Sequence, residues 1–317
     1  MISRRKYKNS KLMFYGREIL GLAAPRRYFQ AQLGPLLRDI PDEDRVTIED
    51  RASYYMKKRD DFVVSEQART LSEMPSSKKS AYYFDLRRVV RYFPKRTRFD
   101  YHFGDIVHVP DVPSFVKSRP LGVDNTNSVI LKLNSVRHFL RVSDQMRYED
   151  KKDELLWRGT AHTAPRDAFI EKYHGRTGFN VGQVNADEQT DPARVKPFMS
   201  IPDQLQYKFI MSIEGNDLAS NLKWIMSSNS VCLMPAPRNE GWFMEGRLVP
   251  GEHFVQVRDD FSDVGEKVRE LLERPEEGRR IVANANAYSA QFTDARMERL
   301  VALSVIEQYF QRSGQMQ

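Results

Sequence analysis

The sequence predicts a two-domain α/β protein whose second half is built on a mainly parallel sheet, and three observations carry that prediction. The chain has 317 residues, long for one core and comfortable for two. Past residue 150, short apolar runs alternate with helical stretches of about ten residues, the pattern of βαβ units. The chain then closes in helices rather than strands.

In order, residues 1–40 read as helical, with Tyr28, Phe29, Leu33, Leu36 and Leu37 near helical spacing. The stretch "PDEDRVTIEDRASYYMKKRDDF" is polar and is expected at the surface. "SAYYFDLRRVVRYFP" sets Tyr83, Leu86, Val89, Val90 and Phe93 on one helical face, and Pro94 stops it. Residues 98–117 alternate as strand and loop, with turns at Gly104 and around the prolines. "SVILKL" (128–133) is a short strand, followed by a helical stretch to about residue 147. The charged run 147–154 is either a linker or a solvated helix end. Next come the strands "LLWRGT", "YKFIMSI", "SVCLMP" and "HFVQV", separated by the helices "APRDAFIEKYH" and "LASNLKWIMSS" and followed by "SDVGEKVRELLE". Pro275 opens a helix with Ile281, Ala285, Tyr288 and Phe292 in one stripe, and Thr293 is placed to cap the last helix. The expected domains are 1–150 and 151–292, with 293–317 as a terminal helix.

Composition narrows the function. With 40% hydrophobic and 29% charged residues the chain is not disordered, and no run reaches the roughly 18–20 apolar residues of a membrane span. The basic N-terminus lacks the continuous apolar core of a secretory signal. One cysteine, Cys232, excludes a disulfide framework and a thiolate metal site, so the cytoplasm is the default compartment. A net charge of +7, locally dense at residues 4–8, 57–59 and 87–98, suits nucleic acid, anionic lipid or phosphorylated substrates. Without a zinc finger or an RNA-binding aromatic motif, nucleic acid is not an expected partner. Neither the dinucleotide nor the P-loop glycine pattern occurs.

Parallel α/β domains bind ligands at the carboxyl ends of their strands, where the "EGND" turn, "WRGT" and the loop after "SVCLMP" are expected to lie. In "SIEGNDLASNLKWIM" a helix is expected to start near Asp217 or Leu218; its first amides and Gly215 suit a phosphate, with Lys223 further along. Asn216 or Asp217 as a plain helix cap is the other reading. In "WRGTAHTAPRD", Arg158 and Arg166 flank a small-residue loop containing Gly159 and Thr160, where guanidinium forks and a hydroxyl match phosphate oxygens. The alternative is a surface loop in which Arg166 pairs with nearby acids. "HFGDIVHVPDVPSFVKSRP" offers Asp105 as a general base, with Lys117 further along the same stretch, or simply a turn aspartate. His102, His108 and Asp111 form no zinc pattern, and the acid-x-acid triplet in "PDEDR" reads as surface charge, so no metal site is expected.

In this order the three motifs resemble glycosyltransferase family 90. "KFIMSIEGNDLASNLKWIMSSNSVCLMP" with "WFMEGRLVPGEHFVQVRDDFSDVGEKV" resembles the donor-binding half. "LLWRGTAHTAPRDAFIEKY" resembles the Arg-Gly-Ser/Thr strand turn, and residues 82–120 resemble the amino-terminal domain of the bacterial lipopolysaccharide core enzymes. The match covers roughly residues 80–312. It implies a GT-B fold, two Rossmann-like domains facing a cleft with the last helix crossing back to the first. It implies inverting transfer from a UDP-sugar, with no essential metal and no other cofactor. Asp105 falls on the family's base, Thr160 and Arg166 on its donor serine and arginine. The next donor loop falls on Asn216, Asp217, Leu218, Ala219, Ser220 and Asn221, where Asn221 replaces a frequent arginine. Arg158 and the loop's helix end would then stabilise the leaving diphosphate. Glu245 either holds donor-sugar hydroxyls or lies at the surface, and Lys117 falls on the acceptor side. A lipid-linked or polysaccharide glycan is the implied acceptor, in lipopolysaccharide core or capsule synthesis, with peripheral contact to an anionic inner membrane. The non-enzymatic reading is a basic α/β protein docking on anionic lipid or glycan.

Overall fold

The computed structural model describes residues 11–21, 24–75, 80–188 and 190–316; the basic run at 4–8 lies outside them. The helices are α1 (Lys11–Leu20), α2 (Arg26–Arg38), α3 (Asp42–Tyr55), α4 (Ser80–Val90), α5 (Ser135–His138), α6 (Ala164–Tyr173), α7 (Ile201–Gln204), α8 (Leu222–Met226), α9 (Val264–Glu273), α10 (Pro275–Ala290) and α11 (Ala295–Arg312). The strands are β1 (Asp100–His102), β2 (Ser114–Val116), β3 (Ser118–Pro120), β4 (Ser128–Ile130), β5 (Lys152–Gly159), β6 (Phe179–Gln183), β7 (Tyr207–Met211), β8 (Val231–Met234), β9 (Asn239–Gly241) and β10 (Val255–Gln256). The chain folds as α/β with parallel sheets. Its described residues form two compact units: one holds the chain from Lys11 to Arg137, the returning segment Arg238–Glu245 and the chain from Phe292 onward; the other holds His138–Pro237 and Gly246–Gln291.

In the second unit the sheet order is β10-β8-β7-β5-β6, all parallel. From β5 the chain steps outward to β6, then returns across β5 to β7 on its other side and continues to β8 and β10. The reversal between β5 and β7 is the topological switch point of a doubly wound sheet. β7 is buried at all five positions, as a central parallel strand covered on both faces requires. On one face Leu155, Trp157, Val181, Phe209 and Met211 pack against Phe169 and Ile170 of α6 and Val264 and Val268 of α9. The run 147–154 is neither linker nor helix end: Tyr148 is buried, and buried Lys151 pairs with Asp144 at 2.7 Å on the way into β5.

The first unit holds a parallel sheet in the order β1-β2-β4 and a two-stranded antiparallel sheet, β3-β9. The terminal α11 packs on α2, α3 and α4, burying Leu300, Leu303, Ile306, Tyr309 and Phe310. The expected surface stretch at 41–62 is therefore corrected: α3 buries Ile48, Arg51, Ala52 and Tyr55. Arg51 can enter the core because Glu298 of α11 takes its guanidinium at 2.6 Å and also accepts from Trp242 Nε1 at 2.7 Å. Removing one partner of such a buried pair costs about 3–5 kcal/mol. Two further expectations change. The helix after residue 133 shrinks to the single turn α5. Asp294, not Thr293, caps α11, its carboxylate accepting the amides of Arg296 and Met297.

Candidate functional site

At the switch point of the second unit, the carboxyl ends of β5 and β7 lie side by side and release two loops, residues 160–163 and 212–221. Arg166, in the first turn of α6, ties them together. Its Nη1 donates to the Thr160 carbonyl at 3.0 Å, Nη2 to the Ile213 carbonyl at 2.9 Å and Nε to the Glu214 carbonyl at 3.2 Å. Charge-assisted bonds of this kind contribute about 1.5–3 kcal/mol each. Gly215 makes these contacts possible: a Cβ there would lie 3.1 Å from Arg166 Nη2. Asn185, after β6, fixes the other rim, accepting the Ala161 amide at 2.8 Å and donating to its carbonyl at 2.9 Å. Thr160 and Asn216 are exposed in the two loops that this cation ties together, which offer a hydroxyl, a carboxamide and a main-chain turn near a positive charge. The arrangement suits an anion with several acceptor oxygens.

Arg158 is not part of it. Alternation along β5 turns Trp157 toward α6, its ring 6.3 Å from Phe169, and sends Arg158 to the opposite face. There its Nη2 donates to Asn180 Oδ1 at 2.7 Å and meets Met199 Sδ at 3.4 Å. Its Nε and Nη1 are buried without a hydrogen-bond partner among the described residues, and burial pulls its pKa down. Gly182 opposite leaves room for it: a Cβ would stand 2.6 Å from Nη1. The pleat sends Arg158 to the face of β5 opposite Trp157 and α6, the helix that carries Arg166. Gly159, the last residue of β5, lies between them.

The loop 212–221 also departs from expectation. No helix starts at Asp217 or Leu218; α8 begins at Leu222 and runs five residues. Instead the chain is tied back to the end of β7, Asn221 Nδ2 donating to the Met211 carbonyl at 3.1 Å and Ser212 Oγ to Asn221 Oδ1 at 3.0 Å. Asp217, Leu218 and Ala219 are buried, while Ser220 is exposed. So short a helix adds little dipole, and the positive charge at this turn comes from Arg166. Lys223 is buried within α8. Asn180, Asn185, Lys196 and Met199, which shape both faces of β6, were not foreseen.

In the first unit, β1 and β2 end side by side in the same way. Past β1, Gly104 takes φ +127°, a conformation that favours glycine, and delivers Asp105. Past β2, the almost fully buried Lys117 pairs with Asp105 Oδ1 at 2.6 Å. Tyr82 of α4 hydrogen-bonds Lys117 and Asn134; burial raises its pKa, against the opposing pull of the ammonium. Lys117 thus has a fixed stem and a phenolic partner, while Asp105 keeps about 30% of its side chain accessible. Glu245 also clusters with this unit and is not at the surface: it is buried, accepting the Gly241 amide at 2.7 Å. Among the described residues no group of three or more His, Cys, Asp or Glu side chains is placed to hold a metal ion, and no helix is long and apolar enough to cross a membrane.

The sequence model of glycosyl transferase family 90 matches residues 122–311, a stretch that contains Thr160, Arg166 and the 212–221 loop and begins after Asp105 and Lys117. The "O-glucosyltransferase LpsA" of Dichelobacter nodosus is 44% identical over 303 residues, 95% of this chain and 95% of that protein. A family match over more than half of the chain, and a relative aligned along nearly all of it, place this protein among the glycosyltransferases of family 90.

Proposed function

We propose that the protein moves a sugar, glucose first among candidates, from a UDP-sugar to a hydroxyl of a glycan acceptor, with inversion at the anomeric carbon. The observation that carries this reading is the Arg166 cradle: a guanidinium held by three neutral carbonyls at a switch point, open to Thr160 and Asn216. The glucosyl donor is suggested by the name of the relative from Dichelobacter nodosus. The two units then form a GT-B enzyme, with the donor on the second and the acceptor on the first. The acceptor is a lipid-linked or polysaccharide glycan of the lipopolysaccharide core or capsule.

In this mechanism Asp105 takes the proton of the acceptor hydroxyl as its oxygen attacks C1. The C1–oxygen bond to the diphosphate breaks, and the departing negative charge settles on Arg166, the Thr160 hydroxyl and the amides of the 215–217 turn. Lys117, paired with Asp105 at 2.6 Å, orients its carboxylate. Protein cations take the part that a divalent ion plays in other transferases, so the reaction proceeds without a metal. Family membership supports an enzyme over a non-catalytic docking protein. A panel of UDP-sugars and of sugars on other nucleotides, assayed for hydrolysis and transfer with and without chelator, tests the reading. Chelator-resistant turnover of UDP-glucose above the other donors is expected; turnover only with another nucleotide's sugar would remove the UDP assignment.

A further inference from the structure

Helix α1 is amphipathic the wrong way round for a helix that only packs on its own protein. Its one fully buried residue is Glu18, whose carboxylate meets Arg88 of α4 at 2.5 Å. On the same side Tyr15 shares a hydrogen bond of 3.1 Å with Ser80 and packs its ring on Phe84 at 6.0 Å. The outward side carries the apolar residues: Leu12 is 83% exposed, Met13 76%, Ile19 58% and Leu20 78%. At about 100° per residue these four and Gly16 fall within an arc of roughly 120°. The stripe is continuous and lies opposite Glu18.

We infer that this face is a membrane-surface anchor, and that its occupant is the headgroup region of an anionic bilayer. Charge supports that choice over a protein partner. Lys11 and Arg17 are exposed on the helix itself, and Glu18, its one acid, is turned inward and neutralised. In sequence, Arg4, Arg5, Lys6 and Lys8 precede the helix with no acidic residue among them. Leu, Ile and Met on one side with Arg17 at its border is the composition of a helix lying in the lipid interface. Each basic residue near an anionic surface adds attraction that falls off within a Debye length. Size points the same way, because four side chains of a ten-residue helix fall short of the roughly 800 Å² per partner of a standard protein interface. Binding is reversible and salt-sensitive, since one short stripe buries little hydrocarbon. This inference does not depend on the sugar donor and stands or falls separately from it.

Co-sedimentation of the full chain with vesicles tests it. Vesicles of phosphatidylglycerol and phosphatidylcholine should take down the protein, pure phosphatidylcholine much less, and high salt should release it. Replacing the stripe as Leu12→Gln, Ile19→Gln and Leu20→Gln should lower partitioning about tenfold or more with an unchanged near-ultraviolet dichroism spectrum. Arg17→Glu, which leaves the stripe and the Glu18–Arg88 pair in place, should lower it several-fold on anionic vesicles alone. Failure of the wild-type chain to bind anionic vesicles overturns the anchor. So does equal binding by the triple variant, or a wild-type dimer in sedimentation velocity that the triple variant loses, which would assign the face to a second copy.

Discussion

The two strand-end turns hold charge in opposite ways. At the ends of β5 and β7 a cation, Arg166, is held by three neutral carbonyls. At the ends of β1 and β2 a carboxylate, Asp105, is held by a buried cation, Lys117. The first arrangement fixes a guanidinium through main-chain carbonyls where two loops meet, which suits an incoming polyanion. The second is balanced at rest and keeps one group accessible, which suits a proton acceptor. Similar backbone geometry thus gives two chemistries, set by what partners the charged side chain.

This contrast can be broken in order of expected effect. Asp105→Asn removes the proton acceptor while retaining its size, and sugar transfer should fall about 10²–10⁴-fold with UDP affinity unchanged; retained turnover in an assay with a competent donor and acceptor would take Asp105 out of the mechanism. Arg166→Ala loses both the charge and the tie between loops, so UDP affinity should weaken roughly 10–100-fold; Arg166→Lys should recover little, because one ammonium cannot reach three carbonyls. Lys117→Met leaves Asp105 without its orienting ammonium, and about a tenfold drop in kcat is expected, with KM for the donor little changed. Gly215→Ala presses a methyl to 3.1 Å from Arg166 Nη2; the far end of a long side chain can give way, so only a few-fold rise in donor KM should appear. Arg158→Met should do least: a half-paired buried guanidinium is exchanged for an apolar side chain, leaving UDP affinity within about twofold and thermal stability equal or slightly higher.

Much of this was legible in the residues. The runs "YKFIMSI" and "SVCLMP" appear as β7 and β8 because buried parallel strands are apolar throughout. β6 was hidden, since "FNVGQ" carries Asn180, Gly182 and Gln183 among its apolar residues, and without β6 the switch point could not be located. Those polar residues serve the site's surroundings: Asn180 receives Arg158, and Gly182 makes room for it. The α3 helix escaped notice because its inward side includes Arg51, whose burial depends on Glu298 some 247 residues away. The start of α8 was misplaced because Asn221 and Ser212 tie the loop back to β7, a contact no local propensity encodes. The candidate residues were picked out by type and spacing; that Arg158 and Trp157 turn to opposite faces follows from the pleat of β5.

The central claim is that Arg166, and not Arg158, meets the diphosphate of the donor. Isothermal titration of UDP into the wild-type protein, Arg166→Ala and Arg158→Met tests it directly. Measurable wild-type affinity, weakened at least tenfold by Arg166→Ala and changed less than about twofold by Arg158→Met, is the predicted result. Equal affinity of Arg166→Ala and the wild type, or a larger loss in Arg158→Met, would contradict it.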